Sequence, residues 1–231
     1  MADELAHPEV TSFVHHRARL TEGQQAAWER WWPERGADVD EVLDGTQPWD
    51  PAAWFGRTAP VVLEIGSGMG ESTAALAAAD PGTDHVAVEV FEPGLAALLM
   101  RMAELDLTNL TLLRGDAVRL LREAVPEGSL DGIRVFFPDP WPKRRHRKRR
   151  LVQAGFVALA ASRLRPGGFL HLATDWEDYA TQMLALVRSE PTLHGAADGF
   201  TPRPAWRPVS KFEQRARVEG RDVRELLLRK R

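Results

Sequence analysis

From Pro60 onward the chain alternates short apolar runs with amphipathic or Ala-rich stretches, and most changes of period fall at Gly, Pro or Asp clusters. The run at 61–65 is apolar apart from Glu64 and leads into a Gly-rich turn, the pattern of a buried strand. An Ala-rich helix follows at 71–79, stopped by Asp80-Pro81-Gly82. Residues 85–90, 110–114, 133–137 and 169–174 read as further strands. Helices are predicted between and after them at 92–105, 117–124, 151–164 and 177–188, the first with Pro93 near its start, where a missing N–H costs least. Five strands in alternation with helices predict an α/β, doubly wound, mainly parallel sheet. Residues 211–218 and 223–229, on either side of Glu219-Gly220-Arg221, read as two late strands forming a C-terminal antiparallel hairpin and raising the sheet to seven strands. This regular pattern assigns 58–231 to one domain. Residues 1–57, rich in Trp, Pro and acids, read as a less regular N-terminal arm, with a helix over 21–32 opened by the capping-box pair Thr21 and Gln24.

Composition narrows the options. The 231 residues are 44% apolar, enough for a core without covalent staples. The chain has no cysteine, which excludes a disulfide framework, a thiolate nucleophile and a Cys-ligated zinc site. No metal site is expected. There is no apolar run of membrane-spanning length, and the first residues, with Asp3 and Glu4, lack the apolar stretch of a secretory signal, so a cytoplasmic protein is expected. The net charge of −3 conceals an asymmetry: residues 1–142 carry 10 Lys+Arg against 24 Asp+Glu, and residues 143–231 carry 20 against 9. Such halves either pair with each other or expose a basic surface to a polyanion.

The chemistry-bearing residues stand at predicted strand ends. Glu64-Ile65-Gly66-Ser67-Gly68-Met69-Gly70 closes the first strand. Glycines there let the backbone turn sharply and approach a ligand. The spacing is Gly-x-Gly-x-Gly, unlike the Gly-x-Gly-x-x-Gly that seats a pyrophosphate, and Glu64 would repel one. An acid suits a cationic ligand such as a sulfonium bearing an amino group. Glu89 ends the second strand, where a carboxylate can accept from two ribose hydroxyls. Asp116 follows the third and can either accept from an adenine amino group or cap the next helix. After the fourth comes Phe136-Phe137-Pro138-Asp139-Pro140-Trp141-Pro142-Lys143, then Arg144-Arg145-His146-Arg147-Lys148-Arg149-Arg150. The prolines stiffen the backbone at Asp139, Trp141 offers a flat face, and seven Lys/Arg within 143–150 suit phosphates.

The three strand-end acids together resemble the cofactor site of class I methyltransferases. The 136–150 stretch resembles the signature of the bacterial tRNA (guanine-N7)-methyltransferase family. The likeness extends to Ser12-Phe13-Val14, Arg19-Leu20-Thr21 and Gln24, to Val88-Glu89-Val90 with Pro93-Gly94, to Ala173-Thr174-Asp175-Trp176, and to Ser210-Lys211-Phe212-Glu213, where the family usually has threonine first. It implies a Rossmann-like methyltransferase fold and the transfer of a methyl group from S-adenosyl-L-methionine to N7 of a guanine in the variable loop of tRNA. It further implies that Glu64, Gly66, Gly68, Gly70, Glu89, Asp116 and Asp139 contact the cofactor, and that Asp139 is also catalytic. Lys143, Asp175, Ser210, Lys211, Phe212 and Glu213 are implied to contact the substrate. Arg144, Arg145, Arg147, Lys148 and Arg149 are expected to hold the tRNA backbone. No obligatory protein partner is expected, and both a monomer and a homodimer suit the chain. His15 and His16 read as solvated or phosphate-facing, and residues 36–57 have no assigned role.

Two other readings compete. A methyltransferase for protein or small molecules would need the strand-end acids but not the basic run. A non-catalytic RNA-binding scaffold would need the run but not Glu64 or Asp139. The chain has both sets.

Overall fold

The structure is a computed structural model that describes residues 19–195 and 199–231. Ser12, Phe13, Val14, His15 and His16 lie outside these residues. The described strands are β1 (Gly36–Asp38), β2 (Val61–Ile65), β3 (Asp84–Glu89), β4 (Leu110–Arg114), β5 (Leu130–Phe136), β6 (Leu164–Thr174), β7 (Leu193–His194) and β8 (Arg224–Lys230). The helices are α1 (Glu22–Arg35), α2 (Val39–Leu43), α3 (Pro51–Phe55), α4 (Glu71–Ala79), α5 (Glu92–Glu104), α6 (Ala117–Glu123), α7 (Ala154–Arg163), α8 (Glu177–Arg188) and α9 (Lys211–Val218). A 3₁₀ turn runs over Arg144–Arg149.

One sheet has the order β1-β4-β3-β2-β5-β6-β8-β7. Its pairs are parallel from β1 through β6, and β8 runs antiparallel to both β6 and β7. All of β2 is buried, as expected for a central parallel strand covered on both faces. The strand order reverses at β2, which lies between β3 and β5, so the carboxyl ends of these strands open a crevice suited to a ligand. No helix among the described residues is long and apolar enough to cross a membrane.

Two expectations about the sheet need correction. The sheet has eight described strands and not seven, because Gly36-Ala37-Asp38 joins its edge beside Leu112, Leu113 and Arg114 of β4. Asp38 holds that edge by accepting from Arg114 Nε and Nη2 at 2.6 and 2.7 Å. Gly36 is required there, since a Cβ would lie 2.3 Å from the Trp32 ring. Residues 19–57 thus contribute the expected helix as α1, and also β1, α2 and α3 where the arm was expected to be irregular.

The second correction is the C-terminal hairpin. Residues 211–218 form α9, not a strand. Ser210 caps the helix by accepting from the Glu213 N–H at 3.1 Å, so Ser-x-x-Glu acts here as a helix start, as Thr-x-x-Gln does for α1. Gly220 has φ 70°, with Gly220 N–H donating to Arg217 O and Arg221 N–H to Ala216 O. Glu219-Gly220-Arg221 is therefore a Schellman stop after a helix and not a strand-to-strand turn. The antiparallel partners of β8 come from the distant strands β6 and β7.

Candidate functional site

A cavity of about 500 Å³ opens at the carboxyl ends of β2 to β5. Its lining includes Gly66, Gly68, Glu89, Asp116 and Asp139, together with Phe137, Trp141 and Phe212. Gly66 and Gly68 hold φ of 79° and 56°, and a Cβ on either would meet open space. Glycine is needed there for its backbone conformation, and the vacant volume beside it belongs to the cavity. Gly70 differs. It caps α4, and a Cβ would lie 2.6 Å from Leu98, so it serves packing, away from the cavity lining. Gly94 supports the loop from below, where a Cβ would stand 2.2 Å from Gly68 O.

Each strand-end acid is fixed in its own way. Glu89 Oε2 accepts from Gly68 N–H at 2.9 Å, and its Oε1 accepts from Val90 and Phe91 N–H at 2.7 and 3.0 Å. Asp116 Oδ1 caps α6, accepting from Val118 and Arg119 N–H. Capping involves one oxygen of a residue that also lines the cavity, so the two readings of Asp116 are compatible. Glu64 lies behind the loop, buried and outside the lining. Its Oε1 accepts from Thr73 Oγ1 at 2.7 Å, while its buried Oε2 has no partner. Burial pushes its carboxyl pKa up, against the pull of Arg134 and Thr73.

Asp139 lines the cavity midway between two residues in the left-handed region, Phe137 at φ 51° and Trp141 at φ 43°. Bulky side chains adopt that conformation only when their surroundings enforce it, at a cost of about 1–3 kcal/mol each. The turn carrying Asp139 is thus held by more than its prolines. Phe137 stacks on Phe212, with ring centroids 5.8 Å apart and planes at 20°. Phe137 escaped sequence reasoning because nothing in the string distinguishes it from a core residue. Trp141 packs under Arg149, whose guanidinium lies 4.4 Å from the indole centroid.

The basic segment is split. Lys143, Arg144, Arg145, Lys148 and Arg149 are exposed. Arg147 pairs with Asp178 at 2.7 Å. Arg150 is buried, donating to Asp178, Gln182 Oε1 and Pro140 O, and it thereby ties the Asp139 turn to α8. Both pairings fall within the basic half of the chain, so Arg147 and Arg150 are not neutralised by the acidic half.

Of the remaining expected substrate residues, Phe212 lines the cavity and the others do not. Asp175 Oδ2 accepts from Arg221 Nε and Nη2 at 2.9 and 2.7 Å. Lys211 reaches Glu71, just past the glycine loop, at 2.5 Å. Glu213 is buried and bonded by Arg207 and Arg217, and Ser210 is occupied as the cap of α9. Phe212, 59% exposed, is what this turn presents to the cavity.

A family model described as "Putative methyltransferase" matches residues 58–226. A tRNA (guanine-N(7)-)-methyltransferase of Dechloromonas aromatica (strain RCB) is 49% identical over 221 residues, covering 96% of this chain and 88% of the relative. The protein of the same name from Nitrosospira multiformis is 48% identical over 230 residues, covering 100% and 98%. Among solved structures, the antibiotic-resistance methyltransferase Kmr aligns with a TM-score of 0.53 at 16% identity, over 79% of this chain and 93% of that one, a likeness of fold.

Proposed function

Since the chain belongs to the tRNA (guanine-N(7)-)-methyltransferase family and transfers a methyl group from S-adenosyl-L-methionine to N7 of a guanine in tRNA, we propose a division of labour among its residues. The observation that carries the assignment is a single cavity lined by Glu89, Asp116 and Asp139 and also by Phe137, Trp141 and Phe212. The acids suit the cofactor, and the aromatic rings suit a base.

The residues fit S-adenosyl-L-methionine. Space is open beside Gly66 and Gly68, and carboxylates stand at the ends of β3 and β4. Glu89 would take the ribose hydroxyls and Asp116 the adenine amino group, each already oriented by backbone N–H groups. Glu64 would serve the cationic end from behind the loop. When bound, the cofactor supplies an electrophilic sulfonium methyl.

Guanine N7 carries an in-plane lone pair, so no base has to remove a proton from the attacking atom. The protein's work is positioning and charge stabilisation. As the methyl moves, positive charge passes to the purine, and Asp139 is assigned to stabilise it. A target base stacked within folded tRNA must leave its stack to enter the cavity. Phe137, Phe212 and Trp141 would receive it, and Asp175 would accept from its N–H edge. Lys143 and exposed Arg144, Arg145, Lys148 and Arg149 would hold phosphates, with Arg147 and Lys211 contributing less because Asp178 and Glu71 engage them. Ser210 and Glu213 act on the substrate through α9. The variable loop as the location of the guanine rests on the family resemblance. The cytoplasm as the compartment is a reading that the tRNA substrate supports.

The test is incubation of tRNA with the protein and methyl-labelled cofactor, followed by nucleoside digestion and mapping of the label. Label in N7-methylguanosine of the variable loop is expected. Label in another nucleoside or another loop would overturn the assignment.

A further inference from the structure

Arg207 is 1% exposed and bridges the start of α9 to β8. Its Nε and Nη2 donate to Glu225 Oε1 at 2.9 and 2.7 Å, Nη2 also donates to Glu213 Oε2 at 2.6 Å, and Nη1 donates to Pro208 O at 3.1 Å. Glu225 belongs to β8, opposite Ala173 of β6, and is bonded by the buried His171 at 2.7 Å. Glu213 belongs to the first turn of α9, immediately after Phe212. The same guanidinium lies 5.7 and 6.0 Å from the ring centroids of Phe136 and Phe137. One buried cation therefore touches the strand that leads to the Asp139 turn, the ring of Phe137, and the helix start that carries Phe212.

We propose that Arg207 is a positioning residue for methyl transfer, fixing Phe212 against Phe137 and thereby setting the aromatic slot that receives the target base. This rests on the reading that these two rings border the base site.

Three physical points support it. First, a buried ion pair is weak evidence for stability, because apolar residues of the same volume commonly serve as well or better. An ionic cluster of Arg207, Glu213 and Glu225 at this position is better explained by the geometry it enforces. Second, two carboxylates around one cation would leave excess negative charge, and Arg217 at 2.5 Å and Arg203 at 3.7 Å from Glu213 Oε1 offset it. Partial breakage would strand a buried charge, so the cluster holds one arrangement or fails as a unit. Third, two carboxylates and a carbonyl around one side chain require the planar fork of arginine. An ammonium cannot direct its donors the same way.

The experiment compares Arg207→Lys, Phe212→Ala and the double variant. The readouts are single-turnover methylation of tRNA, cofactor affinity and tRNA affinity. In Arg207→Lys, cofactor binding should stay stoichiometric and within about twofold, since Glu89 and Asp116 are untouched. The exposed basic segment should keep tRNA affinity near that of the parent. The methylation rate should fall by about 10–100-fold, the scale of an ångström-level misplacement. A purely structural role would instead lower the active fraction and all three readouts together. The double variant should be no slower than the slower single variant, because both changes act on one contact. A parental rate in folded Arg207→Lys, or losses that multiply, would overturn the proposal while leaving the base site intact. A parental rate in Phe212→Ala would remove the base-site reading itself. If Arg207→Lys does not bind cofactor stoichiometrically, Glu225→Gln takes its place, keeping shape and one acceptor, with the same outcomes deciding.

Discussion

On the cofactor side of the cavity, Glu89 and Asp116 are fixed by N–H groups of the loops around them, and the glycine turn follows directly from β2. On the RNA side, Phe212, Asp175 and the Asp139 turn depend on ion pairs between side chains: Arg207 with Glu213 and Glu225, Arg221 with Asp175, and Arg150 with Asp178. The first arrangement uses backbone donors and needs no partner side chain. The second is cooperative, so one substitution can move several groups at once. It follows that affinity for cofactor and rate of transfer should be separable by mutation.

The sharpest separation should come from Asp139→Asn, which keeps size and removes the charge assigned to the cationic purine. Single-turnover methylation should fall by about 10²–10³-fold, with cofactor and tRNA affinities nearly constant. A near-parental rate would shift attention to Asp175.

A second effect belongs to the sheet beneath the cofactor side. His85 on β3 is buried, and burial, helped by the charge of Arg134, depresses its pKa from 6.5 to about 4. The folded value lies below the unfolded one, so as pH falls the unfolded chain takes up this proton first. The stability linked to His85 is therefore full above pH 6.5 and declines down to about pH 4. It amounts to about 3 kcal/mol across that window. Denaturant unfolding of the parent and of His85→Asn at neutral and acid pH should show a flatter pH dependence in the variant. Parallel curves would rule out this role.

Glu89→Ala should weaken cofactor binding by about 1.5–3 kcal/mol, the scale of hydrogen bonds to a charged group. It also releases the Gly68, Val90 and Phe91 N–H groups, so Glu89→Gln should lose less. Calorimetry measures both, and an unchanged affinity in Glu89→Ala would remove it from the ribose role.

The smallest effects should come from the basic 3₁₀ turn. Replacing Arg144 and Arg145 with Ala should flatten the salt dependence of tRNA binding by about 0.7–0.9 log units per lost phosphate contact. Arg147→Ala should flatten it by less, because Asp178 already engages that side chain. Equal slopes for parent and double variant would place the phosphates elsewhere.

Much of the cofactor side was legible in the sequence. The strands at 61–65 and 110–114 and the helices at 71–79 and 177–188 stand where periodicity predicted them, because a buried parallel strand or an Ala-rich helix writes its period locally. Strand-end acids and turn glycines are equally local signals. The same reasoning fails at 211–218, where Ser210-x-x-Glu213 is a readable helix start but Gly220 reads equally as a hairpin turn. Strand β1 carried no signal of its own, since three residues form a strand only because Arg114 and the β4 edge are there to pair with.

What the sequence determined by itself was the alternation of strands and helices from Val61 to Arg188, the crevice at the carboxyl ends of those strands, and the identity of the acids around it. Only the tertiary structure decided which charges are engaged by acids of the protein itself. Arg147 and Arg150 read as members of one basic run with Arg144, Arg145 and Lys148, yet Asp178 engages both. Glu213 reads as a substrate ligand, yet Arg207 holds it in the interior. Burial and ion pairing depend on which residues meet across folded elements, and that distance in space is not written in the local pattern of a chain.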